Sequence, residues 1–404
     1  MLMKSVKGIV NCFGCGVCAA ACSRLAIKIE LNDKGFYTPV VDDSICNNCG
    51  ICKDVCSYAH EELANNQSPL KSYGAWSNDS NVRTRCSSGG VGYELGKFLL
   101  TEGYKVCGVK YNIDTQRAEH YIANDEEELR LSIGSKYIQS YTVDGFRAVN
   151  RKEKYLVTGT PCQIDSFRRY IRKFKVEKNF ILMDFFCHSV PSMLAWKKYI
   201  QIVEEKVGPV VYASWRNKFT GWHDSWAMAL DGDRGSDAES RINWHDSYNI
   251  NIVGKKHQYN SRLSQGDIFY RLFLGDYCSN PACQKNCKFK YDHSSADIRI
   301  GDFWGKTYQD DDDGVSALVA FTRIGDEVIH KLDCTLVEYP FEIVAEGQMK
   351  SNVKSAYVSP LVYKVLKRSN SSEKTINILF KLEAIIRLPK RVINRILKIV
   401  WGRR

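Results

Sequence analysis

Apolar and polar positions change rhythm several times along this chain. Ala26–Leu31 alternates as a strand, Asn32–Gly35 turns, and Phe36–Val41 returns, which predicts a hairpin. EELANNQSPL (61–70) is polar, ends in proline and reads as a linker. Beyond it YGAWS is short and strand-like. Val91, Leu95, Phe98 and Leu99 then recur at helical spacing, with Ser87 or Ser88 as the expected N-cap and Gly103 as the stop. Val106–Tyr111, Tyr155–Val157 and Phe180–Phe186 are apolar runs of buried-strand length. The second leads through Thr158-Gly159-Thr160-Pro161 into the helical IDSFRRYIRKF, and the third into Cys187-His188. TGWHDSWAMAL and RINWHDSYNINI read as short β-segments within 212–262, and ADIRIGD and GVSALVAFTR as later strands. Asp310–Asp313 read as a solvated loop. Strands alternating with helices predict an α/β body, with ligands at the carboxyl ends of its strands.

Cysteine spacing changes the picture of the first 66 residues. Cys12, Cys15, Cys18 and Cys22 are repeated in spacing by Cys46, Cys49, Cys52 and Cys56, as Cys-x2-Cys-x2-Cys-x3-Cys. This is the ligand run of a bacterial-type dicluster ferredoxin, in which the fourth cysteine of each run serves the other cluster. One [4Fe–4S] cluster is therefore expected on Cys12, Cys15, Cys18 and Cys56, the other on Cys46, Cys49, Cys52 and Cys22. Gly14, Gly16 and Gly50 suit loops whose backbone approaches sulfur closely. Zinc sites favour isolated cysteine pairs rather than this doubled run. The usual proline after the fourth ligand is missing: Ser23 and Ser57 stand there instead.

Composition adds less. The chain has 404 residues, 16 of them cysteine, and 57 Lys/Arg against 46 Asp/Glu. MLMKSVKGIVNC lacks a long apolar signal core, and no apolar run is long enough to cross a membrane, so a reducing cytoplasmic setting is expected. The positive charge is local: residues 350–404 hold fourteen Lys/Arg against Glu373 and Glu383. Leu388, Val392, Ile393, Ile396, Leu397 and Val400 share one face of a helix ringed by Arg391, Arg395 and Lys398. That pattern predicts either peripheral docking on an anionic membrane through residues 388–404 or a helix packed on the body or a partner. No DNA-binding helix pair is evident, and no nucleic-acid partner is expected.

Six motifs in order, SSGG (87–90), GSKYIQS (134–140), GTPCQI (159–164), DFFCHSVPS (184–192), the Cys278/Cys283/Cys287 group and ADIRIGDFWG (296–305), resemble the coenzyme F420 hydrogenase/dehydrogenase beta-subunit family. The resemblance implies an α+β or α/β chain in three parts. These are a dicluster ferredoxin domain at 1–66, a flavin and iron–sulfur body at 71–345, and a basic helical tail at 346–404. It implies a third [4Fe–4S] cluster on Cys162, Cys187, Cys283 and Cys287, with Cys278 as a fifth candidate. The last pair is Cys-x3-Cys where the family has Cys-x2-Cys. Cys162 and Cys187 read otherwise as buried structural thiols.

The resemblance further implies FAD, or FMN in its place. Ser87, Ser88, Gly89 and Gly90 would face its phosphates, Ser135, Lys136 and Gln139 would line the ring or phosphate, and Thr158, Gly159, Thr160, Gly301 and Asp302 would form the rim. Lys136 would tune the flavin, or is an exposed lysine. His188 would give a proton to flavin or substrate, or packs and caps a helix. The function implied is an iron–sulfur flavoprotein oxidoreductase passing electrons between clusters and an organic substrate or coenzyme F420-like acceptor. Family members with such a ferredoxin module also point to polysaccharide biosynthesis. The alternative is a non-catalytic electron-transfer subunit feeding a partner enzyme.

Overall fold

The computed structural model describes residues 5–9, 11–233 and 258–401, with side chains as far as residue 388. The segment RINWHDSYNINI lies outside the described residues. In chain order the strands are β1 (Ile27–Leu31), β2 (Tyr37–Val41), β3 (Lys71–Ser77), β4 (Lys105–Asn112), β5 (Arg117–Ala123), β6 (Tyr155–Thr158) and β7 (Phe180–Phe185). They continue as β8 (Val210–Ser214), β9 (Ala227–Gly232), β10 (Tyr259–Arg262), β11 (Ile298–Asp302), β12 (Ser316–Ala320) and β13 (Cys334–Glu338).

Among the described residues one eight-stranded sheet runs β13-β3-β12-β11-β7-β6-β4-β5. Its centre, β4, β6, β7 and β11, is parallel, and antiparallel strands close both wings. The central strands are apolar on both faces because helices cover both. Leu156, Ile181, Ile298 and Leu318 face one core with Val91, Leu95 and Leu99 of the helix Val91–Thr101. Val157, Leu182 and Cys107 face the other with Ile164, Phe167 and Ile171 of the helix Pro161–Lys173. A three-stranded sheet, β10-β9-β8, packs with the helix Met193–Val207 around Trp196, Trp215 and Phe269.

The predicted hairpin is β1–β2, antiparallel with Ile27 opposite Val41. The module that carries it does not stand apart. Val17, Ala21 and Val55 belong to the same core as Phe146, Val157 and Phe167 of the body. Residues 61–70 lie along the body rather than free of it: Ala64 N–H donates to Asp165 Oδ1 at 2.6 Å, and Asn65 N–H to Ser295 Oγ at 3.0 Å. Lys288 Nζ donates to the carbonyls of Ser57, His60 and Glu62 at 3.1, 2.6 and 2.8 Å. At the other end, Val358, Val362, Leu366, Ile376, Leu379 and Phe380 join the Trp196 core. Among the described residues the tail holds two helices, Ser359–Leu366 and Glu373–Trp401. Among the described residues no helix is long and apolar enough to cross a membrane.

The N-cap expectation at Ser87 or Ser88 is corrected. The Val91–Thr101 helix is capped by Gly90, whose φ of 85° suits glycine and not serine. Ser87 Oγ instead accepts from Ser135 N–H at 2.9 Å, and Ser88 Oγ donates to Val315 O at 2.8 Å. The acidic run is tied down at several points: Arg83 Nη2 meets Asp311 at 2.7 Å, Trp222 N–H donates to Asp312 O at 2.9 Å, and Lys218 Nζ donates to Asp313 O at 2.6 Å.

Candidate functional site

Sixteen cysteines are free thiols, so no disulfide framework exists. The eight in the first two runs gather in two neighbouring groups. Cys12, Cys15, Cys18 and Cys56 interact electrostatically with one another, and together they line one small cavity with Phe13, Ile29 and Tyr58. Cys52 interacts with Cys22, Cys46 and Cys49. The first set is deep, and burial followed by the neighbouring thiols pushes Cys12 and Cys56 up to about 12. Such thiols ionise when a metal displaces the proton. The second set opens outward, with Cys49 exposed. Among the described residues no three His, Cys, Asp or Glu side chains are drawn close enough to grip one bare ion. Soft thiolates in fours fit an iron–sulfur cluster.

The ferredoxin loop is gripped by side chains of the body. Gln139 Nε2 donates to the carbonyls of Phe13 and Gly14 at 2.9 and 3.3 Å, and Thr142 Oγ1 to Cys15 O at 2.8 Å. Gly14 has φ 68°, and a Cβ there would sit 2.2 Å from Gln139 Nε2. The loop therefore needs glycine for its backbone and for its neighbour.

A third thiol group forms where the body's strands end. Cys162 starts the Pro161–Lys173 helix behind β6, Cys187 follows β7, Cys283 lies on the short helix Pro281–Lys285 and Cys287 follows it. Cys162 interacts with Cys283 and Cys187, and Cys283 with Cys187 and Cys287. Burial raises Cys162 and Cys283 well above the ordinary thiol range and Cys187 to about 11. Cys278 is not part of this group. It is buried in the Trp196 core, with its Sγ turned to Leu272 O. Cys162 also interacts with Cys15, so the third group lies against the first ferredoxin set.

Beside the third group lies a cavity of about 480 Å³. Its walls include Cys187 itself, Ser87, Ser88, Gly90, Ser135, Lys136, Gln139, Thr158, Gly159, Thr160, His188, Gly301 and Asp302. Motifs scattered over 215 positions of sequence thus meet at one place. Gly89 is not in the wall: its Cβ position is 2.4 Å from Ala75 O, so this glycine serves the approach to β3. Lys136 is half-buried, and its ammonium donates to the carbonyls of Leu131, Ser132 and Ile133 at 3.4, 2.9 and 3.0 Å. Its three protons hold the 131–136 turn, and it is not an exposed lysine. Burial lowers it to about 7, opposed by nearby Cys86. Gln139 likewise spends its amide on the ferredoxin loop. His188 Nε2 is 3.0 Å from Asp276 Oδ1, and its ring meets the Phe273 ring edge-on at 5.1 Å.

Sequence reading missed the aromatic end of this cavity. Tyr137, Phe186, Trp226, Phe273 and Trp304 line it. Behind them Arg216, fully buried, forks onto Asp302 at 2.9 and 3.0 Å, with its guanidinium 4.8 and 5.2 Å from the ring centres of Trp226 and Trp304. Asp302 also accepts from Trp222 Nε1 at 2.9 Å. Its carboxylate is therefore committed to the wall. The tryptophan density of 215–226 was the available signal.

Two family models divide the body between them, both describing the beta subunit of coenzyme F420 hydrogenase/dehydrogenase. The model of its C terminus matches residues 152–337, and the model of its N terminus matches residues 72–144. The chain belongs to this beta-subunit family. A 4Fe-4S dicluster domain model matches residues 11–59. The beta-subunit match contains both the cavity motifs and the third thiol group, and with the dicluster domain it makes this an iron–sulfur electron-transfer protein of an oxidoreductase family. A chain of the xenon-derivatised F420-reducing [NiFe] hydrogenase complex from Methanosarcina barkeri is 17% identical, with TM-score 0.42 over 76% of this chain and 90% of that one. No curated protein matches this chain.

His120 supports the cavity floor from behind. It is buried, its Nε2 is 3.0 Å from Thr158 O, and its Nδ1 has no partner. Burial drops it to about 4. Unfolded, the same histidine titrates at about 6.5. The unfolded chain therefore binds the extra proton between those values, and stability falls as pH falls through that window. Wild type should lose about 2 kcal/mol between pH 7 and pH 5 from this residue alone. Urea midpoints at the two pH values should differ less in His120→Gln than in wild type; equal differences would show that His120 is not responsible.

Proposed function

We propose that this chain is an iron–sulfur flavoprotein oxidoreductase that moves electrons between [4Fe–4S] clusters and an organic substrate or coenzyme F420-like acceptor. The observation that carries the reading is Cys187, which belongs to the third thiol group and also lines the cavity. A cluster on Cys162, Cys187, Cys283 and Cys287 would stand between the ferredoxin module and whatever the cavity holds. Electrons would enter or leave at the exposed Cys49 side, pass the buried Cys12 set, and reach the cavity through the third group.

What supports a flavin is the cavity's size, its aromatic end and its small-residue loop. A volume of about 480 Å³ is within the range of cofactor pockets. Ser87, Ser88 and Gly90 stand at the start of the Val91–Thr101 helix, where free N–H groups favour phosphate. FAD or FMN would supply the step between two-electron substrate chemistry and one-electron clusters. Lys136 and Lys218 hold the neighbouring loops by their carbonyls rather than meeting the ring; Lys218 Nζ donates to Ser88 O at 3.0 Å. Lys290 Nζ donates to Cys187 O at 2.7 Å and to His188 O, which fixes the end of β7. Asp276 holds the His188 ring by Nε2, leaving Nδ1 as the atom to give or take a proton at the cavity. An acceptor from polysaccharide biosynthesis is the context we favour.

Anaerobic purification tests this. About twelve irons and one flavin per chain are expected, with reduction of an organic acceptor by the chain alone. Full cofactors with electrons accepted only by other proteins would replace the enzyme by a transfer subunit. Eight irons and no flavin would end the proposal.

We also propose peripheral membrane contact through the last helix. Ile376, Leu379 and Phe380 pack inward, while Ile378, Leu382, Ile385, Ile386 and Leu388 are exposed. The side chains from 389 onward, which include the rest of the basic apolar face, lie outside the described residues. Removing residues 388–404 should abolish sedimentation with phosphatidylserine vesicles; unchanged sedimentation would refute the contact.

A further inference from the structure

The serine that replaces proline after Cys56 has a use. Ser57 N–H donates to Ser166 Oγ at 3.0 Å, a bond proline could not make. Ser166 is fully buried on the Pro161–Lys173 helix, one turn beyond Cys162 and on the same face. Its Oγ lies 3.3 Å from Cys15 Sγ. As a thiol Cys15 can donate here. As an iron ligand it is a thiolate and only accepts, so Ser166 becomes the donor. The Ser57 N–H already occupies one lone pair of Ser166, which leaves the hydroxyl proton for the sulfur.

A second contact repeats the arrangement. Asn280 caps the Pro281–Lys285 helix that carries Cys283, and its Nδ2 donates to Cys12 O at 3.2 Å. Both helices that carry third-group thiols therefore also hold the loop of the Cys12 set.

We propose that Ser166 is a positioning residue for electron transfer, joining Cys15 of the ferredoxin module to the Cys162 helix and raising the reduction potential of the cluster on Cys12, Cys15, Cys18 and Cys56. The proposal rests on the ligand sets given under the proposed function. Reduction adds one electron to that cluster and breaks no bond, and the added negative charge spreads onto the sulfurs. A hydrogen bond to a ligand sulfur therefore stabilises the reduced form more than the oxidised one. Dithionite supplies the electron in the test.

Potentiometric titration followed by EPR on the anaerobically purified full chain reads the effect. Ser166→Ala should lower the equilibrium constant for reducing one ferredoxin-type cluster about tenfold, a shift of about 59 mV for one electron, while the other cluster keeps its potential. Ser166→Thr, which keeps the hydroxyl, should stay near wild type. In wild type, exchange into D2O should place strongly coupled deuterons beside the reduced cluster, from backbone N–H groups such as Gly14, 3.3 Å from Cys12 Sγ, and from the Ser166 hydroxyl, and Ser166→Ala should lose the hydroxyl deuteron alone. Unchanged potentials in Ser166→Ala overturn the proposal. If that variant fails to hold its iron, the wild-type deuteron spectrum decides, and one fully accounted for by backbone N–H groups, with no hydroxyl deuteron, is equally fatal. About eight irons in wild type would remove the third cluster while leaving this potential measurable, so the two readings fail separately.

Discussion

Cys187→Ala should leave a protein with two clusters, full length and folded, that no longer delivers electrons to its cavity. The expectation follows from where the thiol lies. Cys187 stands just past β7, interacts with Cys283 and Cys287, and is part of the cavity wall. Cys162 and Cys283 are linked to it but are not in that wall. Alanine removes one donor of four, and a cubane with three protein ligands is readily lost. About four irons per chain should disappear. The Cys12 and Cys22 sets, built from other loops, should keep their EPR signals. Dithionite should still reduce those clusters, while reduction of any species bound in the cavity falls to background. The control is Cys278→Ala. That thiol is buried elsewhere, against Leu272 O, and its loss should cost packing but no iron. Full iron content in Cys187→Ala would mean that the third group does not hold a cluster.

Local chemistry was the most legible part of this chain. Eight cysteines at fixed spacing name their cofactor because cluster geometry dictates spacing, and the dicluster domain match covers all of them. The hairpin and the apolar central strands were legible for a similar reason: each is written in consecutive residues. What sequence could not show is what each polar side chain is already bonded to. Lys136 and Gln139 sit in the cavity wall, yet their donors are taken by carbonyls of 131–133 and of Phe13 and Gly14. Asp302 lies at the expected strand end, yet Arg216 and Trp222 occupy it. Arg216 has no motif around it, and only the fold brings it beside Trp226 and Trp304. The segment 61–70 has the composition of a linker, but its backbone is bonded along the body. The serine after Cys56 reads as a missing proline, yet its N–H makes a bond to Ser166 that proline could not.

Arg299→Met should cost about 3–5 kcal/mol of stability, the largest effect expected from a residue that touches no cofactor. Arg299 on β11 lies directly across from Asp184 on β7 in the parallel register. Both side chains are wholly buried, and they meet at 2.7 and 2.8 Å. The guanidinium also donates to the carbonyls of Tyr291 and His293 at 2.7 and 2.9 Å. Those carbonyls belong to the loop that follows Cys287 and Lys290, so one side chain joins two central strands to the third thiol group. Methionine fills similar space but leaves Asp184 charged in the interior with only Ser294 donating to it, at 2.7 Å. It also takes the guanidinium donor away from the Tyr291 and His293 carbonyls, which frees their loop from β11. Adding Asp184→Asn removes the stranded charge and should recover part of the loss, but not the part due to the loop. The check is the urea midpoint of each anaerobically purified variant beside its iron content. The single variant should unfold early and lose iron from the third group first. A change below about 1 kcal/mol would place this pair with ion pairs of exposed sites, and the strand-to-loop coupling argued from it would fall.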